Sequence, residues 1–376
     1  MPRLVTAIAT LLALAACGTV VAVPPAPAGL VATGARLNSP SPGNGTSGTN
    51  QVYGVLVDQA SDPKTYTISV VSPKGQVAAS VKAARRTLPP NAHGHPLELP
   101  YVSTSQGLIY YLEGDQVVRE LQLDGRTAPV TQLDVGPGAE AVFAVSPDDA
   151  QIAVSVIDFT RSPAHVLLYT QPMPYGNRHV IFESDTDYVW PVAWHGGQLV
   201  LAHAYGAYVE DALKAAPGQD NPYWAISYHV VDPSTAKRTT LMGACTVSGP
   251  LSPAGSGCIQ GGTIDWAGAV TDWSSNDWGS ISSAASLSPD GDLVAAAQPD
   301  NDRRLAFWRR GGAIATWVDG PGSREWAGWL DDTHVLVTSS SGDFQPRIIT
   351  LSPGPSPALF INATGFYAAR FPTDIV

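Results

Sequence analysis

Charge is scarce in this chain. Of its 376 residues only 14% are charged, where an average soluble domain has about 25%. The net charge is −11 and neither sign gathers into a block. A chain without basic patches lacks the electrostatic footprint that nucleic acid or an anionic lipid surface requires. Cysteine is scarcer still: Cys17, Cys245 and Cys258 are the three present. A cluster of thiolate metal ligands is thereby excluded, and two Cys without a nearby His make a poor ligand set. No apolar run reaches the about 20 residues a membrane-spanning helix needs. Gly-x-Ser-x-Gly is absent, and no stretch is long enough to hold a separate hydrolase domain, which excludes a nucleophile elbow.

What is present begins with an address. Arg3 precedes an apolar run from Leu4 to Ala16, too short to span a bilayer and followed by small residues. A charged start, a short apolar core and a small-residue end make a secretory signal. Leu14-Ala15-Ala16-Cys17 resembles the lipobox of bacterial lipoproteins, which implies lipidation of Cys17 and a new N-terminus there. Residues 1–17 are therefore expected to be a lipoprotein signal. Two or more acyl chains would anchor the chain stably. Residues 18–50 are dominated by Pro, Gly, Ser, Thr and Asn with one charge, Arg36. Such a segment buries too little apolar surface to offset chain entropy and reads as a disordered tether. The expected location is the outer side of a bacterial cytoplasmic membrane, or the periplasmic or outer membrane of a Gram-negative cell, with the lipid as the membrane contact. In an exported chain Cys245 and Cys258 most simply form a disulfide, a closure worth about 3 kcal/mol in the chain-entropy model.

The remaining residues, 51–376, carry 44% hydrophobic content across the chain as a whole with Gly 36 and Pro 32, a balance that favours short strands and many turns. They also repeat. "FAVSPDDAQIAVSVID" (143–158), "ASLSPDGDLVAAAQPD" (285–300) and "AGWLDDTHVLVTSSSG" (327–342) each set a short strand, an Asp-rich turn and an apolar strand in line. "PVAWHGGQLVLAHAYG" (191–206) and "PYVSTSQGLIYYLEGD" (100–115) follow the same plan, and a second hairpin follows each. Four strands per unit, A to D, at a period of about 42 residues define a propeller blade.

The turns Ser146-Pro147-Asp148-Asp149 and Ser288-Pro289-Asp290-Gly291 resemble the repeat turn of TolB-like and WD-repeat-like β-propellers. Proline presets φ and the following Asp supplies the bend. The resemblance covers nearly all of 51–376 and implies architecture, since that repeat hosts unrelated functions. Inner strands fall near 100, 142, 191, 285, 326 and 368. The first segment supplies strands B, C and D without an A, and "GFYAARFP" (365–372) supplies an A without the rest. Together they close the ring, removing the free edges a β protein must manage. The expectation is an all-β, six-bladed propeller, with seven blades as the runner-up. Six is preferred because 243–280 lacks alternating apolar residues and reads as an irregular insertion.

The long connections are 83–98, 205–222 and 243–280. By topology all three lie on the D–A and B–C side, which is therefore the expected binding face. The candidates there are His93, His95, Tyr205 and Tyr208, with the three Asp-Trp pairs Asp265-Trp266, Asp272-Trp273 and Asp277-Trp278. Trp faces can stack on sugars or anchor a partner, with Asp as polar neighbour; they can equally fold down as a lid over the core. At least one of the three is expected to stay exposed. No catalytic, metal or cofactor set emerges; Asp58 and Asp158, near strand ends, are the carboxylates that could face each other across a channel. The expected function is a monomeric, membrane-anchored extracytoplasmic scaffold that binds an envelope protein, peptide or glycan. The alternative is an extracytoplasmic hydrolase or lyase acting on carbohydrate at the channel mouth.

Overall fold

A computed structural model describes residues 51–373 apart from 60–61, 63, 88–101, 162, 206–226, 243–250, 259–261, 273–284, 299–300, 310–313, 320–324, 340–344, 352–354 and 356–358. The signal, Cys17 and the tether lie outside the described residues. Residues Asn50–Val376 form one compact unit, and its described elements are all strands and turns.

Chain order runs β1 (Tyr53–Asp58), β2 (Thr65–Val71), β3 (Val77–Ala84), β4 (Val102–Thr104), β5 (Ile109–Glu113), β6 (Val117–Leu121), β7 (Thr127–Gln132), β8 (Ala139–Val145), β9 (Gln151–Asp158), β10 (His165–Pro172) and β11 (His179–Ser184). It continues with β12 (Asp187–His195), β13 (Gln198–Tyr205), β14 (Ser227–Val231), β15 (Arg238–Leu241), β16 (Ser256–Cys258), β17 (Gly262–Ile264) and β18 (Val270–Asp272). The last third holds β19 (Ala285–Leu287), β20 (Leu293–Gln298), β21 (Asn301–Arg309), β22 (Ile314–Asp319), β23 (Glu325–Trp329), β24 (His334–Ser339), β25 (Arg347–Thr350), β26 (Leu359–Phe360) and β27 (Phe366–Phe371).

All of these strands except β16–β18 make six four-stranded antiparallel sheets, the blades of a six-bladed β-propeller. Blade one has the order β27-β1-β2-β3, so the last strand of the chain is the inner strand of the first blade. Blades two to six are β4–β7, β8–β11, β12–β15, β19–β22 and β23–β26. Closure depends on a close approach at the seam. A Cβ on Gly328 of β23 would meet the Tyr367 ring of β27 at 1.9 Å, and the Tyr367 hydroxyl donates to the Trp329 carbonyl at 2.9 Å.

The Ser-Pro turns work as their chemistry requires. Ser146 Oγ donates to Asp148 Oδ1 at 2.6 Å and accepts from the Gln151 amide at 2.9 Å. Ser288 repeats both bonds, to Asp290 at 2.6 Å and from Leu293 at 2.9 Å. The residue that turns the chain has positive φ in each, Asp149 at 62° and Gly291 at 78°. One hydroxyl thus locks the bend and starts strand B.

Burial falls from the channel outward. Inner β8 is almost wholly buried, whereas outer β15 and β26 are mostly exposed and outer β11 has no buried residue. Strands covered on both faces read as continuous apolar runs, which is why the inner strands stand out in the sequence. The core clusters lie between neighbouring blades; one joins blades one, two and three, another blades three and four.

The segment 243–280 corrects one expectation. It is not irregular throughout: β16, β17 and β18 form a three-stranded antiparallel sheet between blades four and five. Its first strand lies against β19 as β20 lies against β23. The preceding turn, Ser252-Pro253-Ala254-Gly255, is a further Ser-Pro turn, with the Gly255 amide on the Ser252 carbonyl at 3.0 Å and Ser252 Oγ donating to the Ser288 carbonyl of blade five at 2.8 Å. Three-residue strands rich in Gly are too short for an alternating signal. Gly255 is required where it stands, because a Cβ would lie 2.2 Å from the Ile264 carbonyl.

Candidate functional site

The inner strands converge on an axial channel, and one end of it holds a small cavity of about 80 Å³. Its wall is made by the ends of β4, β8, β12 and β27 and by the Ser252-Pro253 turn. Each of those strands ends here in its A–B turn. The cavity therefore lies at the A–B end, and part of the 243–280 connection, Leu251–Pro253 and Trp266, lines it.

Trp266 stands at this end. Asp265 puts it there: its carboxylate accepts the Ala267 and Ala269 amides at 3.0 and 2.8 Å, and Gly268 completes the turn at φ 83°. The indole N–H then donates to the Pro253 carbonyl at 2.7 Å. Its ring stacks on His195, with centroids 4.3 Å apart and planes inclined 16°. The neighbouring Trp194 is buried and donates to the Ala144 carbonyl of blade three at 3.2 Å. Trp329 makes the matching bond to Ser286 between blades five and six at 2.9 Å, so this indole is a repeat feature of the wall.

His195 has a different status. Its Nδ1 is buried without a partner among the described residues, and burial holds the imidazole below its usual pKa. A neutral ring with an unsatisfied nitrogen keeps hydrogen-bonding capacity that its own surroundings do not use. Ser103, Thr104, Thr373 and Arg370 supply the rest of the polar rim. The described lining contains no carboxylate, and among the described residues no group of three His, Cys, Asp or Glu is placed to hold a metal ion.

The sequence candidates divide. Trp266 joins the channel end, on the face opposite to the one expected. Asp265 is exposed and its carboxylate is used by the turn. Asp272 ends β18 and Cys258 ends β16, both opposite Gly262. Tyr205 ends β13 opposite Asp187. Asp58 is buried and accepts from the Thr364 hydroxyl, while Asp158 caps its own turn through the Thr160 amide at 2.9 Å. Cys245, His93, His95, Tyr208, Trp273, Asp277 and Trp278 lie outside the described residues. Sequence reading missed Trp194 and His195, although Trp194 and Trp329 occupy matching places in two aligned repeats. It also missed Ser252-Pro253, whose Leu-Ser-Pro pattern repeats Leu287-Ser288-Pro289.

No protein-family model matches this chain. No curated protein matches it either. Solved structures do. The Myceliophteria thermophila Cps50 (Swd1) β-propeller domain is 13% identical, covering 76% of this chain and 92% of that one with a TM-score of 0.43. A chain of the mitotic checkpoint complex is 14% identical over 75% and 86%, with a TM-score of 0.40. An oligogalacturonate lyase in complex with manganese is 11% identical over 75% and 81%, with a TM-score of 0.38. At such identities the likeness concerns the fold and leaves activity open.

Proposed function

We propose that this chain is a binding module, tethered outside the cytoplasmic membrane through Cys17, whose ligand enters the channel at the A–B end. The observation that carries the reading is the Trp266–His195 stack beside the buried, unpartnered His195 Nδ1. An amphipathic aromatic next to an unsatisfied polar atom suits recognition of a protein or peptide segment, or a glycan end. A cavity of about 80 Å³ admits one small group, such as a side chain or a sugar substituent. The enzyme alternative asks for paired carboxylates at the channel mouth; the described lining supplies none.

The test is capture of envelope material by the propeller released from its anchor, comparing the unmodified protein with Trp266→Ala and His195→Ala. Both variants are expected to keep a melting temperature within a few degrees and to lose the captured partner. Capture unchanged in both variants would remove the channel end from consideration. The anchor is checked separately: Cys17→Ala is expected to appear in the soluble fraction or as an uncleaved precursor, and a mature membrane-bound variant would count against lipidation.

A further inference from the structure

A second cavity, of about 400 Å³, lies away from the channel between the outer strand of blade three and the face of blade four. That volume falls in the range of small-molecule sites. Ile181 and Phe182 of β11 form one wall, and Val189, Leu201 and Val231 line the rest.

Across this apolar surface runs a polar row. His203 of β13 is opposite Ser227 of β14, and Arg238 of β15 is opposite Val231 of β14. Val189 of β12 is opposite His203. The two-residue period of a strand puts Asp187, His203, Ser227, His229 and Arg238 on one face. They are bonded in line. His203 Nε2 is 3.3 Å from Asp187 Oδ1, and its Nδ1 is 3.2 Å from Ser227 Oγ. Ser227 Oγ is in turn 3.3 Å from His229 Nε2. The two imidazoles stack with centroids 4.7 Å apart. With Nε2–H donated to Asp187, His203 Nδ1 accepts the Ser227 hydroxyl, and Ser227 accepts from His229. Burial pushes His229 down to a pKa of about 4, helped by the neighbouring His203 ring and the Arg238 guanidinium.

The order Asp–His–Ser matches that of an activated nucleophile. Ser227, however, sits inside a strand whose neighbours are engaged in pairing with β13 and β15, the opposite of a turn that aims free amides at an oxyanion. The row is a binding surface, and its two ends differ. Asp187 is already engaged by His203 and by the Thr186 hydroxyl at 3.0 Å. Arg238, exposed at the other end of the row, has no ion pair or hydrogen bond among the described residues. A free guanidinium fork beside an apolar cavity matches a carboxylate joined to an apolar body.

We propose that this cleft binds small organic carboxylates, aryl or medium-chain acyl, with the anion on Arg238 and the body between Ile181, Phe182, Leu201 and Val231. His229 contributes a neutral polar edge between the two. This site is independent of the channel end and of the reading given to it.

The test is calorimetric titration of the full chain with 1-naphthoate, with 1-naphthylmethylammonium as the cationic counterpart. Saturable one-to-one binding of the carboxylate is expected. Arg238→Gln, a change at an exposed position, should weaken it about tenfold or more, the scale of one charge-assisted contact. Ile181→Trp, at a half-buried position on β11, should fill the cavity and abolish binding. The cation should bind at least about tenfold more weakly than the carboxylate. Absence of saturable binding, equal binding of the cation, or affinity unchanged in both variants would overturn the proposal.

Discussion

The channel end and the flank cleft share blade four, the first at the turn that ends its inner strand and the second across its face, and they differ in kind. The channel end is enclosed by inner strands that converge, so its side chains close it to about 80 Å³. The cleft lies between strands that diverge outward, where a propeller must fill the widening gap with bulk. Between blades five and six Phe307 and Trp329 pack edge to face with centroids 5.9 Å apart. Between blades three and four, His203, Ser227 and His229 occupy part of the facing surface, and a cavity of about 400 Å³ remains. The difference teaches that in this fold convergence shapes the inner site, whereas polar residues standing where apolar bulk is wanted open the outer one. Close packing is the default of an interior, and departures from it point to ligands or strain.

Breaking the inner wall should have the largest effect. Deleting residues 366–376 removes β27, exposes the edge of β1 and uncovers the seam held by Tyr367. Loss of the cooperative unfolding transition is expected by circular dichroism; a near-native melting temperature would refute closure by the two ends of the domain. Trp194→Ala comes next. It removes a buried indole and its bond to blade three, at an expected cost of about 3–5 kcal/mol, measured by urea unfolding. A cost below about 1 kcal/mol would mean the indole is not part of the wall.

The cleft should respond to pH more strongly than the wall does. His229 titrates at about 4 in the folded protein and near 6.5 when unfolded. Between those values the unfolded chain binds the extra proton. Stability therefore falls as pH drops from about 6.5 towards about 4. His195, also held below its usual value by burial, contributes in the same direction. His229→Gln should flatten part of the slope in melting temperature against pH, and an unchanged slope would place the titration elsewhere. The smallest effect belongs to the turns. In Asp148, which bonds Ser146 Oγ and the Ala150 amide, the Ser146 hydroxyl holds the carboxyl below its usual pKa. Asp148→Ala should cost about 1 kcal/mol without altering either cavity.

Much of the fold was legible because its signals are local. A Ser-Pro-Asp turn is closed by bonds that reach no further than five residues, so Ser146 and Ser288 announce their strands wherever they stand. The inner strands of six blades could be placed by their apolar runs, since both faces are covered. The short sheet is silent in the sequence for the converse reason: in Ser252-Pro253-Ala254-Gly255 an Ala replaces the Asp, and the strands that follow have three residues each. Read as one loop, the insertion places Trp266 on the D–A face; the β17–β18 hairpin instead carries the residue to the A–B end of the channel.

The repeat, the turns, the order of the blades and the closure by strands from the two ends of the domain can be read from the residues alone, because each rests on a period or a short-range bond written in neighbouring residues. Only the tertiary structure decided what meets at the two cavities. Trp266 stacks on His195, and Asp187, His203, Ser227 and Arg238 line up across four strands. Such meetings depend on strand register and on the angle between blades, which no single stretch of the chain encodes.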